Sequence, residues 1–102
     1  MKMLCLDRPR PGATPSQYAP HMQDELRQTW EHYKAGIFRD IYFRQDRPGV
    51  AIFVEYDSTA EAEQALAELP LVKAGLIDFE VIPLGPFTNW ELLFAQPGGG
   101  QQ

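Results

Sequence analysis

Between Ile37 and Tyr56 the chain reads IFRDIYFRQDRPGVAIFVEY. Two runs rich in β-branched and aromatic residues flank Gln45-Asp46-Arg47-Pro48-Gly49, a pattern that predicts a β-hairpin with a loop longer than two residues. Strict alternation along the first strand sets Phe38, Asp40, Tyr42 and Arg44 against Ile37, Arg39, Ile41 and Phe43, so charge falls on both faces. A strand that only filled a core would keep one face clean, so function is expected beside this hairpin. In the second strand Val50, Ile52 and Val54 alternate with Ala51 and Phe53, apolar on both sides, as in a sheet covered on both faces.

The remaining elements follow from their boundary signals. Residues 2 to 7 read as a strand broken by Pro9-Arg10-Pro11-Gly12. Thr14, Pro15 and Gln17 form an N-cap, a first-turn proline and a capping-box partner for a helix ending near Ala35-Gly36. Pro20 predicts a separate or kinked opening turn. On the helical wheel Tyr18, Met22, Leu26, Thr29, Trp30 and Tyr33 share the stripe expected to lie on a sheet, with His21, Glu25 and His32 along its flank. Ser58-Thr59-Ala60-Glu61 caps a short second helix that Pro70 halts, and residues 76 to 84 alternate as a last strand. The order β-α-β-β-α-β predicts an α+β ferredoxin-like fold, a four-stranded antiparallel sheet with both helices on one face.

The other face needs a cover. A homodimer with two sheets packed face to face is expected, and the apolar run 87–94 is expected to lie on the partner subunit. One domain over residues 1–95 accounts for the length, and Gln96 to Gln102, rich in glycine, predict a disordered tail. Apolar runs are too short to span a bilayer, the N-terminus lacks a signal-peptide core, and a cytoplasmic protein is expected. A formal charge of −5 argues against nucleic acid. An RNA-binding domain of the same strand order would need basic and aromatic positions that residues 49–56 do not supply. Cys5, the single cysteine, reads as a small buried hydrophobe. His21 and His32 stand three turns apart without ligand spacing, so no metal site is expected.

Leu69-Pro70-Leu71 followed by Ile77-Asp78-Phe79-Glu80-Val81-Ile82-Pro83-Leu84, with an aromatic-Arg-x-x-aromatic pattern on Phe38, Arg39 and Tyr42 and a second arginine at Arg44, resembles the muconolactone δ-isomerase-like family over roughly residues 2 to 84. The resemblance implies a dimeric α+β barrel that assembles further in some members, and isomerisation of a small carboxylated lactone without metal or organic cofactor. The chain departs from the isomerase in a longer loop after Leu71 and in Asp40 where the isomerase carries histidine. Asp46 to Gly49 are more similar to uncharacterised branches.

Placed under the first helix by strict alternation, Arg39 would need an anion, either a ligand carboxylate held in its guanidinium fork or an internal acid such as Glu25. His21, His32 and Glu25 are the candidate proton carriers, and Tyr18, Trp30, Tyr33 and Tyr42 the candidate walls or contacts of a small-molecule pocket. Cofactor-free proton transfer next to a carbonyl, in a carboxylated lactone or aromatic-derived metabolite, is the leading expectation. Two others stay open: a cofactor-independent monooxygenase of the antibiotic-biosynthesis type, using Trp30, Trp90 or Asn89, and a non-catalytic dimeric binding or assembly protein.

Overall fold

The computed structural model describes residues 1–95; the expected tail, 96–102, lies outside them. Four strands, β1 (Lys2–Pro9), β2 (Phe38–Phe43), β3 (Val50–Glu55) and β4 (Ile77–Pro83), form one antiparallel sheet in the order β2-β3-β1-β4. With helices α1 (Pro15–Lys34) and α2 (Thr59–Ala67) this is the ferredoxin-like α+β arrangement that the element order predicts. Pro70 halts α2 and also starts a further short turn, α3 (Pro70–Lys73), at the first helical position, where a proline's missing N–H costs nothing.

The caps act at both helix starts. The Thr14 N–H donates to Gln17 Oε1 at 2.8 Å, and Ser58 Oγ accepts from the Glu61 N–H at 3.2 Å. Pro20 leaves α1 continuous, without a separate first turn: so close to the helix start it removes one intrahelical bond, and the rest of the ladder carries on.

The core lies between the sheet and the helices. Met3 and Cys5 from β1, Phe38 from β2, Ile52 and Val54 from β3, and Ala62, Leu66 and Leu69 from the α2 region form one cluster. A second joins Leu71, Leu76 and Ile77 to Tyr18 and Met22 of α1. Cys5 is fully buried, and burial pushes its thiol up to about 11, which leaves it unreactive. Tyr56 Oη is sealed from solvent with no hydrogen-bond partner among the described residues. Because an orphaned buried hydroxyl is a net cost, Tyr56→Phe should leave stability unchanged or raise it by up to about 1 kcal/mol in denaturant unfolding; a loss of that size would reveal a partner for the hydroxyl.

Two expectations from strict periodicity need correction. Phe38 pairs with Val54 and Asp40 with Phe53, so the register slips between them at a β-bulge. Phe38, Ile41 and Phe43 therefore share the helix-bearing face, and the extra residue, Arg39, is thrown outward instead of lying under α1. Helix α1 is also turned relative to the expected stripe. Glu25 is its one buried residue, with Tyr18, His21, Met22, Gln28, Thr29 and His32 half-buried, whereas Leu26, Trp30 and Tyr33 stand 60%, 55% and 51% exposed. The polar flank faces inward, and the aromatic stripe faces out.

Candidate active site

The alternation that buries Met3 and Cys5 carries on to Asp7, which is only 8% exposed near the end of β1. Glu25, equally buried, comes from the inward flank of α1. Each carboxylate has one committed oxygen. Asp7 Oδ1 accepts from the Val50 N–H at 2.9 Å, and Glu25 Oε1 accepts from the Leu71 N–H at 2.9 Å, which ties α1 to the start of α3. Their second oxygens take no hydrogen bond among the described residues, yet neither is sealed off; Tyr56 Oη alone has that status. Both free oxygens therefore keep some contact with solvent.

The hairpin loop holds Asp7 in place. Arg47 Nη2 donates to the Asp7 carbonyl at 3.1 Å, and its Nη1 donates to the Pro48 carbonyl at 2.9 Å. Gly49 adopts φ of 141°, and a Cβ there would run into Asp7 Oδ1, so this position requires glycine for both conformation and space.

Burial dominates the electrostatics. It pushes the Asp7 carboxyl up, against the opposing pull of the Val50 N–H and of Arg47 and Arg44. It pushes Glu25 up as well, against the Leu71 N–H, with Asp7 adding to the rise and His21 opposing it. Tyr18 is raised by burial and by the charge of Asp7. The charge of Asp7 thus acts on both Glu25 and Tyr18, and that of His21 on Glu25. Neighbouring carboxyls held above their ordinary range can hold and release protons, which suits general acid and base chemistry.

A stability signature follows. In the unfolded chain these carboxyls titrate near pH 4; in the folded chain they titrate higher, so folding takes up protons between the two ranges. Stability from this pair is fully present below about pH 4 and falls as pH rises through the folded midpoints. Asp46, held down to about 2 by Arg44, acts in the opposite sense and only at lower pH. Asp7→Asn with Glu25→Gln, which keeps a carbonyl acceptor for each backbone N–H, should flatten the fall in urea midpoint between pH 4 and 7; an unchanged slope would place the titrating groups elsewhere.

The other sequence candidates lie apart from this group. Arg39 is exposed and its Nε donates to the Gly36 carbonyl; the bulge has removed it from the position under the helix where it would need an anion. His32 sits two turns beyond Glu25, stacked on Phe38 with ring centroids 4.6 Å apart, and burial lowers its pKa. Trp30 and Tyr33 stack on each other on the outer side of α1, and Tyr42 projects from the uncovered face of the sheet. His21 also borders an open depression of about 350 Å³ with Gln28, Glu68, Pro70, Lys73 and Ala74. Asp7 and Arg47 were not among the sequence candidates, although the Met3-Cys5-Asp7 alternation carries the signal for Asp7.

No protein-family model matches the chain, and no curated protein matches it at a significant level. Among solved structures it is similar to 5-chloro-2-hydroxyhydroquinone dehydrochlorinase from Burkholderia phenoliruptrix, in complex with 2,5-dihydroxybenzoquinone, at a TM-score of 0.68 and 20% identity, covering 87% of this chain and 98% of that one. That likeness shows the fold, an α+β ferredoxin-like domain. No helix among the described residues is long and apolar enough to cross a membrane.

Proposed function

We propose that the protein is a small-molecule enzyme that catalyses cofactor-free proton transfer, of the isomerase type, at the buried carboxyls of β1 and α1. The observation that carries this reading is the buried pair Asp7 and Glu25, each with one oxygen anchored by a backbone N–H and one open. Glu25 serves as base or acid, Asp7 as its counterpart, His21 as the route to solvent, and Tyr18 as a wall that can also donate a hydrogen bond. The structurally similar dehydrochlorinase acts on a hydroxylated aromatic, which supports a ring-sized guest.

A homodimer belongs to the same proposal. Phe87, Trp90, Leu92, Leu93 and Phe94 are 62% to 80% exposed, and Leu4, Leu6, Ala51, Phe53 and Ile82 lie half-buried on the uncovered sheet face. A second copy would cover both surfaces. A single monomeric species in sedimentation at micromolar concentration would remove this part of the proposal.

The anchored oxygens favour a second reading. Asp7 staples the hairpin loop and Glu25 caps α3, so the pair can serve the fold alone, in a non-catalytic binding or assembly protein. Incubation in heavy water with muconolactone and with hydroxylated aromatics, oxygen excluded, separates the readings. Deuterium entering the carbon skeleton is the expected result. No exchange with any of them favours the assembly protein, and turnover that appears only with oxygen uptake favours a monooxygenase.

A further inference from the structure

We infer that the protein binds a small oxyanion, phosphate in preference to carboxylate, in a second site at the end of β1. There Arg8 and Arg10 line a cavity of about 230 Å³ with Pro9, Pro11, Ile77 and Asp78. The site is separate from the buried carboxyls and does not depend on the proton-transfer reading.

Arg10 is singled out by what the other arginines do. Arg8, Arg27 and Arg44 pair with Asp78, Asp24 and Asp46, and Arg39 and Arg47 donate to backbone carbonyls. Every other guanidinium of the chain is thus committed, whereas that of Arg10 makes no hydrogen bond or ion pair among the described residues. Its backbone, by contrast, is held firmly. The Arg10 N–H donates to the Leu76 carbonyl at 2.8 Å, and its carbonyl accepts from the Ala13 N–H at 3.0 Å. Pro9 and Pro11 restrict the backbone on both sides. The guanidinium lies beside the turn from α3 to β4, where a β-carbon on Gly75 would stand 3.7 Å from its central carbon. An open fork on a fixed backbone loses less freedom on binding than one on a mobile loop.

The balance of charge selects the guest. Arg8 and Asp78 face each other across β1 and β4, with Arg8 Nε on Asp78 Oδ1 at 2.9 Å and Nη2 on the Phe79 carbonyl at 3.4 Å. That leaves Arg8 Nη1 open. Two guanidinium groups and one carboxylate line the cavity, so it keeps an excess of positive charge in a chain of net charge −5. A carboxylate would satisfy the Arg10 fork and offer nothing further. A phosphate fills the same fork with two oxygens and brings a third oxygen and a second negative charge for Arg8. Asp78 opposes either anion, and the doubly charged one gains more from the two cations. Pro9, Pro11 and Ile77 add apolar wall, which would favour a phosphate ester over the free ion.

The test is a proton and nitrogen NMR titration of the full chain at constant ionic strength and about pH 7.5, where phosphate is largely a dianion. The probes are inorganic phosphate, phenyl phosphate and acetate. Phosphate should give saturable shifts centred on Arg10, Leu76 and Ile77 and on Arg10 Nε, with a dissociation constant on the order of 1 mM, and acetate should bind about tenfold more weakly. Arg10→Gln, an exposed substitution, should abolish saturation, and Asp78→Asn should tighten binding by removing the opposing charge. Phenyl phosphate binding more tightly than phosphate supports the site and assigns it to an ester; equal binding supports it and assigns it to the free ion. Shifts that do not saturate, that centre elsewhere, or that persist in Arg10→Gln overturn the inference, and acetate binding as tightly as phosphate overturns its selectivity. None of these results touches the reading of Asp7 and Glu25.

Discussion

Glu25→Gln is expected to reduce turnover of the substrate found by deuterium exchange by about 10²- to 10⁴-fold, the usual worth of a positioned acid or base. The substitution is chosen to separate chemistry from structure. The amide side chain would keep a carbonyl oxygen for the Leu71 N–H, so α3 stays capped and the fold persists, while the titrating proton is lost. Asp7→Asn keeps the acceptor for the Val50 N–H in the same way and should be comparably damaging. Acting as acid and base of one reaction, the two should be non-additive, so the double variant should be little worse than the poorer single one. Single losses below about tenfold with an intact fold would remove the pair from the chemistry.

Phe38→Ala should carry the largest stability cost, about 3 to 5 kcal/mol. Phe38 is fully buried at the start of β2, packs in the cluster of Met3, Cys5, Ile52 and Val54, and supports the His32 ring. Removing the ring opens a cavity that rigid neighbours on two strands and a helix fill poorly. It also lets water reach His32, whose pKa is lowered by burial, so that value should return towards the ordinary histidine range. Denaturant unfolding at fixed protein concentration measures the first effect, and proton NMR titration of His32 the second. A cost under about 1 kcal/mol would mean that β2 does not contribute to the core as described.

The hairpin, the helix caps and the element order are legible because each rests on a local signal: an alternating pattern, a Ser or Thr three residues before Glu or Gln, a proline at a boundary. The bulge is not. It inserts one residue into β2, and alternation carried past such an insertion assigns the wrong face, which is why periodicity alone sets Arg39 beneath α1. The facing of α1 escapes the sequence for a related reason. Leu26, Trp30 and Tyr33 dominate any hydrophobicity-weighted wheel, but the stripe turned inward contains Glu25, whose burial is made tolerable by an N–H from a distant segment, Leu71, that no local pattern reveals. Asp7 is readable in principle, since it continues the Met3-Cys5 face. Its importance depends on Val50 and Arg47, about 40 residues away along the chain.

What remains unpartnered on the chain fits the same picture. The outer stripe of α1, the uncovered sheet face and the apolar segment 87–94 are surfaces that a lone copy leaves in water.

The central claim is that Asp7 and Glu25 are buried, that the charge of Asp7 acts on Glu25, and that both bind a guest. Carbon NMR titration of the side-chain carboxyls, without and with hydroquinone, tests it most directly. Both resonances should titrate above the ordinary carboxylate range, the Glu25 midpoint should fall when Asp7 is made an amide, and both should move when hydroquinone is added. Ordinary carboxylate midpoints that ignore each other and the ligand would contradict the account.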